Sequence, residues 1–117
     1  MTPDTEQMMP MAEEATRLIK ALAHPERLMI CCQLKAGEMS VGEIEALLDI
    51  PQPRLSRELG KLRNEDILGT RRQSKSIIYH LKDDRIRAIV ETLCAVMLGQ
   101  DGLGETVAIK EAQYEQS

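Results

Sequence analysis

Aromatic side chains are nearly missing from this chain: its 117 residues include two Tyr, no Phe and no Trp. A core without them must be built from Leu, Ile, Val, Met and Ala, which together with only five Pro favours helices. The shortage argues against a single-stranded nucleic-acid binder, which needs aromatic platforms for stacked bases. Long apolar runs are missing as well. Stretches such as Leu28–Cys32 fall far short of a bilayer span, so no transmembrane helix and no membrane partner are expected. The opening MTPDTEQMMPMAEEA is acidic and lacks the basic start and apolar run of a signal peptide, so a cytoplasmic location is the expectation. In that reducing compartment a structural disulfide is rare, and any role for Cys31, Cys32 and Cys94 is expected to be chemical. A Gly-rich phosphate loop, a nucleophile elbow, a C-x-x-C pair and a His/Cys constellation are all missing, which leaves no basis for an enzyme or a cofactor.

What is present is an uneven charge distribution. The chain carries a formal charge of −4. Between Gln52 and Ser76 stand seven basic residues (Arg54, Arg57, Lys61, Arg63, Arg71, Arg72, Lys75) and three acidic ones (Glu58, Glu65, Asp66), a local +4 that leaves −8 elsewhere. A basic block in an acidic protein is an electrostatic footprint for a polyanion; the alternative is a solvated charged face.

Periodicity supplies the elements. Residues 1–10 read as a loose N-terminus. Met11, Ala15, Leu18, Ile19 and Leu22 form a helical stripe, and Pro25 with Glu26 opens a second helix through Leu34 that stops near Gly37. Ser40 and Glu43 make a capping box for a short helix, Val41–Leu48, with Ile44, Leu47 and Leu48 on one face. Another helix spans Pro53–Asn64 on Leu55, Leu59 and Leu62. The period then changes: 67–72 and 76–81 read as two strands of a hairpin joined by Gln73-Ser74-Lys75. A last helix carries Ile86, Ile89, Val90, Leu93, Cys94 and Met97 on one stripe and ends at Gly99, leaving 100–117 as a mobile tail.

The expected fold is mainly α with a small β-hairpin, in the order α-α-α-α-β-β-α, a winged helix-turn-helix over residues 11–99. In that arrangement one helix braces while the next enters the major groove and the basic hairpin reaches phosphates. Gln52, Arg54, Ser56, Arg57 and Lys61 on the reading helix, with Arg71, Arg72 and Lys75 on the hairpin, are the candidate contacts to duplex DNA. Gln52, Arg54 and Arg57 are also suited to base edges. Symmetric pairing through the apolar last helix would place two reading helices one DNA turn apart, so a homodimer is expected. A dimeric protein-interaction adaptor with a degenerate wing is the rival reading.

Leu22-Ala-His-Pro-Glu-Arg-Leu28, Ser40-Val-Gly-Glu-Ile44, Gln52-Pro-x-Leu-Ser56, Leu59-x-x-Leu62 and Ile78-Tyr79, in this order, resemble the ArsR/SmtB family of bacterial repressors over about residues 15–98. The resemblance implies a homodimer, joined by its first and last helices, that represses an operon until an inducer releases it from operator DNA.

It also frames the inducer. The family's arsenic- and lead-type site resembles a cysteine-rich motif opening the third helix, where this chain has Ser40 and Gly42. Its zinc-type site uses Asp and His on the last helix; Asp83 and Asp84 are here, but that helix has no His, and His24 and His80 share no ligand spacing. No metal is therefore assigned. Cys32 matches the first reactive cysteine of the persulfide- and oxidant-responsive members. Their second cysteine corresponds to Leu98, and Cys94 lies one helical turn before it. The expected sensor is Cys32 with Cys94, responding to reactive sulfur (persulfide or polysulfide). Two alternatives stay open: a peroxide response through vicinal Cys31 and Cys32, and arsenite captured by the thiolates of Cys32 and Cys94. Simple packing of all three thiols is the bland reading.

Overall fold

Asp4 caps the first helix. In the computed structural model, which describes residues 4–99, its Oδ1 accepts the Gln7 amide at 2.9 Å and its own amide donates to Gln7 Oε1 at 3.4 Å. This capping box opens α1 (Thr5–Leu22), ahead of the expected start at Met11. Residues 5–10, expected to be loose, are helical; Pro10 sits inside the helix and removes a single backbone donor. The expected tail at 100–117 lies outside the described residues.

α2 (Pro25–Leu34) is opened by His24, whose Nδ1 accepts the Glu26 amide at 3.2 Å, with Pro25 at the first helical position. The Ser40–Glu43 capping box forms as expected, with contacts of 3.1 and 2.9 Å, and starts α3 (Val41–Leu48). α4 (Arg54–Asn64) follows a short turn.

One strand pairing goes beyond the expectation. Met39 and Ser40 form a short β1 that pairs antiparallel with β3 (Ser76–Leu81), which also pairs with β2 (Leu68–Gln73). The hairpin is therefore the larger part of a three-stranded sheet ordered β1-β3-β2. Two residues are too short a run for alternation to show. The turn is Ser74-Lys75, with Ser74 at φ 57° in the left-handed region. Gly69 on β2 faces His80 on β3 so closely that a Cβ would lie 2.5 Å from His80 Nε2. α5 (Asp84–Leu98) is capped by Asp83, whose side chain accepts the Arg85 amide, and ends, as expected, at Gly99 with φ 67°.

Among the described residues the buried core holds no aromatic ring. Leu18 and Leu22 of α1, Ile30 and Leu34 of α2, Leu55, Leu59 and Leu62 of α4 and Ile86 and Val90 of α5 close around Ile44, Ile67 and Leu81. Leu47 departs from expectation: it is 60% exposed while Ile44 is fully buried. In a helix of two turns only the strip through Ile44 faces the core, and Leu47 lies beyond its edge. This helical body presents α4 and the β2–β3 hairpin, the wing, on its surface, as a winged helix-turn-helix does.

Candidate nucleic-acid interface and thiol pair

Leu55, Leu59 and Leu62 fix the inner face of α4, so most of the intervening polar positions turn outward. Arg54, Ser56, Arg57 and Lys61 are all exposed, as are Gln52 in the preceding turn and Arg71, Arg72 and Lys75 on the wing. Gln52 Oε1 receives the Ser56 amide at 3.2 Å and the Ser56 hydroxyl, which ties the turn to the first turn of α4.

Three of the eight candidate contacts, Arg54, Arg57 and Arg71, already stand beside carboxylates. Arg54 grips Glu26 of α2, its Nε donating to both carboxylate oxygens at 3.0 and 2.9 Å and a terminal nitrogen approaching within 2.9 Å. Arg71 grips Glu38 through Nε at 3.0 Å and a terminal nitrogen, which holds the Glu38 carboxyl below the usual carboxylate range. Lys61, Arg72 and Lys75 have no ion pair among the described residues.

Behind α4 lies an ionic cluster that sequence reasoning missed. Glu58, on the inner side of α4, is 1% exposed. It receives Arg27 of α2 at 2.9 Å and approaches Arg57 Nε at 3.5 Å and His24 Nε2 at 3.9 Å. Burial pushes its carboxyl upward, but the Arg27 hydrogen bond and the charges of Lys61, His24 and Arg27 outweigh it and hold the group below its ordinary value. Arg27 Nε also caps the Ala21 carbonyl at 2.6 Å. His24, Glu26 and Glu58 bring ligand atoms within 4.8 Å of one another, the spacing of a metal cluster. However, Arg27, Arg54 and Arg57 crowd their carboxylates, a poor setting for a cation.

The three cysteines separate into two environments. Cys31 is fully buried in the core, where burial first and then neighbouring Cys32 push its thiol up to about 12. Cys32, half-buried on α2, lies 3.5 Å Sγ to Sγ from Cys94 on α5. Burial, the hydrogen bond with Cys94 and the charge there push the Cys32 thiol up to about 11, against a pull from Lys35. Both Cys31 and Cys32 are thus protonated thiols near neutrality. The structure brings Cys32 and Cys94 together, although Cys94 stands one turn before the position the resemblance marks, and it leaves Cys31 facing the core.

Comparison with known proteins agrees with this architecture. The sequence profile described as bacterial regulatory protein, arsR family, matches residues 24–69. The chain is 52% identical over 85 residues, 73% of each protein, to a biofilm growth-associated repressor of Agrobacterium fabrum. Among solved structures it resembles the transcriptional repressor BigR from Xylella fastidiosa at 42% identity and TM-score 0.75, covering 80% of this chain and 96% of that one. It resembles reduced HlyU from Vibrio cholerae at 33% identity and TM-score 0.75, covering 78% and 96%. These relatives are transcriptional regulators, not enzymes. The chain belongs to the arsR family of bacterial regulatory proteins and has their winged helix-turn-helix fold.

Proposed function

We propose that the chain is a homodimeric transcriptional repressor that holds operator DNA through α4 and the wing and releases it when reactive sulfur links Cys32 to Cys94. Two named repressors, from Agrobacterium fabrum and Xylella fastidiosa, support the regulatory half of this reading. The observation that carries the sensing half is the 3.5 Å approach of two free thiols on different helices. Dimerisation is supported by exposed apolar side chains on α1 (Met8, Met9, Met11, Ile19) and α5 (Val96, Leu98), the two helices that would cover one another across a two-fold axis.

The sulfur chemistry balances with a hydrogen polysulfide as oxidant. Two thiols and one molecule of hydrogen trisulfide give a Cys32–S–S–S–Cys94 bridge and two molecules of hydrogen sulfide. The cysteine sulfurs are oxidised, and two polysulfide sulfurs leave as sulfide, carrying the thiol protons. Two S–S bonds of about 2.05 Å set at a bent angle span roughly 3.3 Å, close to the observed gap. A direct disulfide would draw the sulfurs much nearer. The raised thiol values assign reactivity to proximity rather than to a standing thiolate.

Release follows from what α2 holds. A bridge fastens α2 to α5, and the first turn of α2 carries Glu26 and Arg27, the partners of Arg54 and Glu58 on α4. Fixing α2 therefore biases the position of the reading helix, and a coupling of about 1–3 kcal/mol lowers DNA affinity roughly 5–150-fold. A second ligand fits the same two thiols: arsenous acid, which exchanges two of its hydroxyls for the two sulfurs, the thiol protons leaving with them as two waters.

Polysulfide treatment followed by peptide mass analysis and a duplex-binding assay tests the proposal. The expected result is a one-sulfur Cys32–Cys94 bridge with DNA release, absent in Cys32→Ser. A full polysulfide response in Cys32→Ser overturns the reading, and release by arsenite alone transfers it to the metalloid.

A further inference from the structure

A cleft of about 370 Å³ opens between the last turns of α1 and α4, bordered by Arg27 of α2. At liquid water's roughly 30 Å³ per molecule this is room for about a dozen non-hydrogen atoms. Four of its lining residues are cations, Arg17, Lys20, Arg27 and Lys61, and one, Glu65, is an acid.

Two of those cations are committed. Arg17 donates to the Glu65 carboxylate at 2.7 Å and carbonyl at 3.1 Å and also holds Glu14, while Arg27 holds Glu58. Lys20 and Lys61 are exposed and have no ion pair among the described residues, and the Asn64 side-chain amide makes no hydrogen bond there. Lys61 adds to the positive field at Glu58 without bonding to it. Lysines near a helix C-terminus commonly serve to cap its free carbonyls. Most of these carbonyls need no such service. At the end of α1, Lys20 O accepts Ala23 N, Leu22 O accepts His24 N and Ala21 O accepts Arg27 Nε. At the end of α4, Lys61 O accepts Glu65 N, Leu62 O accepts Ile67 N and Arg63 O accepts Asp66 N. Two ammonium groups thus line one cleft with no carboxylate among the described residues bonded to them, beside apolar surface from Ala21 and Leu62.

We infer that this cleft is a binding site for a small organic anion, a carboxylate with a compact apolar body. Lys20 and Lys61 hold the charge, Asn64 donates to it, and Ala21 and Leu62 receive the apolar part. The occupant bridges the first helix to the end of the reading helix, through residues that take no part in the thiol contact. The site therefore stands independently of the sulfur reading.

The test is an amide-resolved NMR titration of the full-length reduced protein, and of its Cys32→Ser variant, with benzoate, benzamide and inorganic phosphate as probes. Benzoate is expected to give saturable shifts at Lys20, Ala21, Lys61, Leu62 and Asn64 in both proteins, with benzamide inert and phosphate weaker. Lys20→Gln and Lys61→Gln are each expected to weaken benzoate roughly tenfold, and the wing variant Lys75→Gln to leave it unchanged. Lys20 is an exposed side chain, so its variant tests binding without disturbing the core. Non-saturating shifts, equal binding of benzamide, or unchanged affinity in Lys20→Gln overturns the site. Phosphate binding as tight as benzoate overturns the apolar part of the assignment.

Discussion

Cys32 and Cys94 are separated by 62 positions in the chain, yet their sulfurs lie 3.5 Å apart across the α2–α5 seam. Its own helix does not hold Cys32 as a thiolate. Burial and mutual contact push Cys32 up to about 11, which keeps it protonated near neutrality, so what the fold supplies is a second thiol within reach of the first.

That chemistry has a pH signature. Below about 11 the Cys32 thiolate fraction rises about tenfold per pH unit, so its alkylation should accelerate roughly a hundredfold between pH 7 and 9 without a plateau. Burial remains in Cys94→Ser, but the thiol hydrogen bond and the neighbouring negative charge are lost. Cys32 should then titrate lower and react faster at neutral pH in that variant. Equal rates would show that Cys94 does not influence it.

Arg54 should bind DNA more strongly once freed from Glu26. The pair is partly exposed, so Glu26→Gln is expected to tighten operator affinity roughly two- to fivefold at low salt, and to steepen its salt dependence by about one counterion. Titrations at several salt concentrations measure both. A weakened affinity would mean that Glu26 positions Arg54 for DNA rather than competing for it.

Glu58 is a different case because its carboxylate is buried and has several partners. Glu58→Ala leaves Arg27 uncompensated and should cost about 3 kcal/mol; His24 and Arg57 keep the cluster partly open to water, which limits the loss. The depressed carboxyl also fixes the direction with pH. Its contribution is complete above the ordinary carboxylate range and is lost as pH falls through the depressed value. Thermal melts between neutrality and about pH 3 should show a shallower acid decline in Glu58→Gln than in the unaltered protein.

Ile19 and Val96 are 58% and 68% exposed on the two helices assigned to the dimer. Ile19→Glu with Val96→Glu should give a monomer by light scattering and lose most operator affinity, while each protomer keeps its fold. A dimer that survives both changes would relocate the interface.

Much of this is legible in the chain because it rests on local chemistry. The Ser40–Glu43 box, Pro25 at the start of α2, the Leu55–Leu59–Leu62 stripe and Gly99 are each read within one or two helical turns. The outward positions on α4 follow from the same periodicity, since most of what is not on the leucine face must face solvent; Glu58 is the exception that only its partners explain. Long-range features escape. The pairing of Met39 and Ser40 with β3 is two residues long, and the Glu26–Arg54 and Arg27–Glu58 pairs join residues 28 and 31 positions apart with no periodic trace. Leu47 shows the limit from the other side: helical spacing places it near Ile44 but does not say where the core ends. Cys94 is visible in the chain, but the packing of α2 on α5, not its place in the sequence, decides that it meets Cys32.

The most direct measurement is operator affinity of the full chain before and after polysulfide, with bridged peptides read by mass in the same sample. Affinity is expected to fall roughly 5–150-fold in proportion to the Cys32–Cys94 bridge, while Cys32→Ser and Cys94→Ser bind DNA and keep their affinity after polysulfide. Full bridging with unchanged affinity, or DNA release without any bridge, would contradict this expectation.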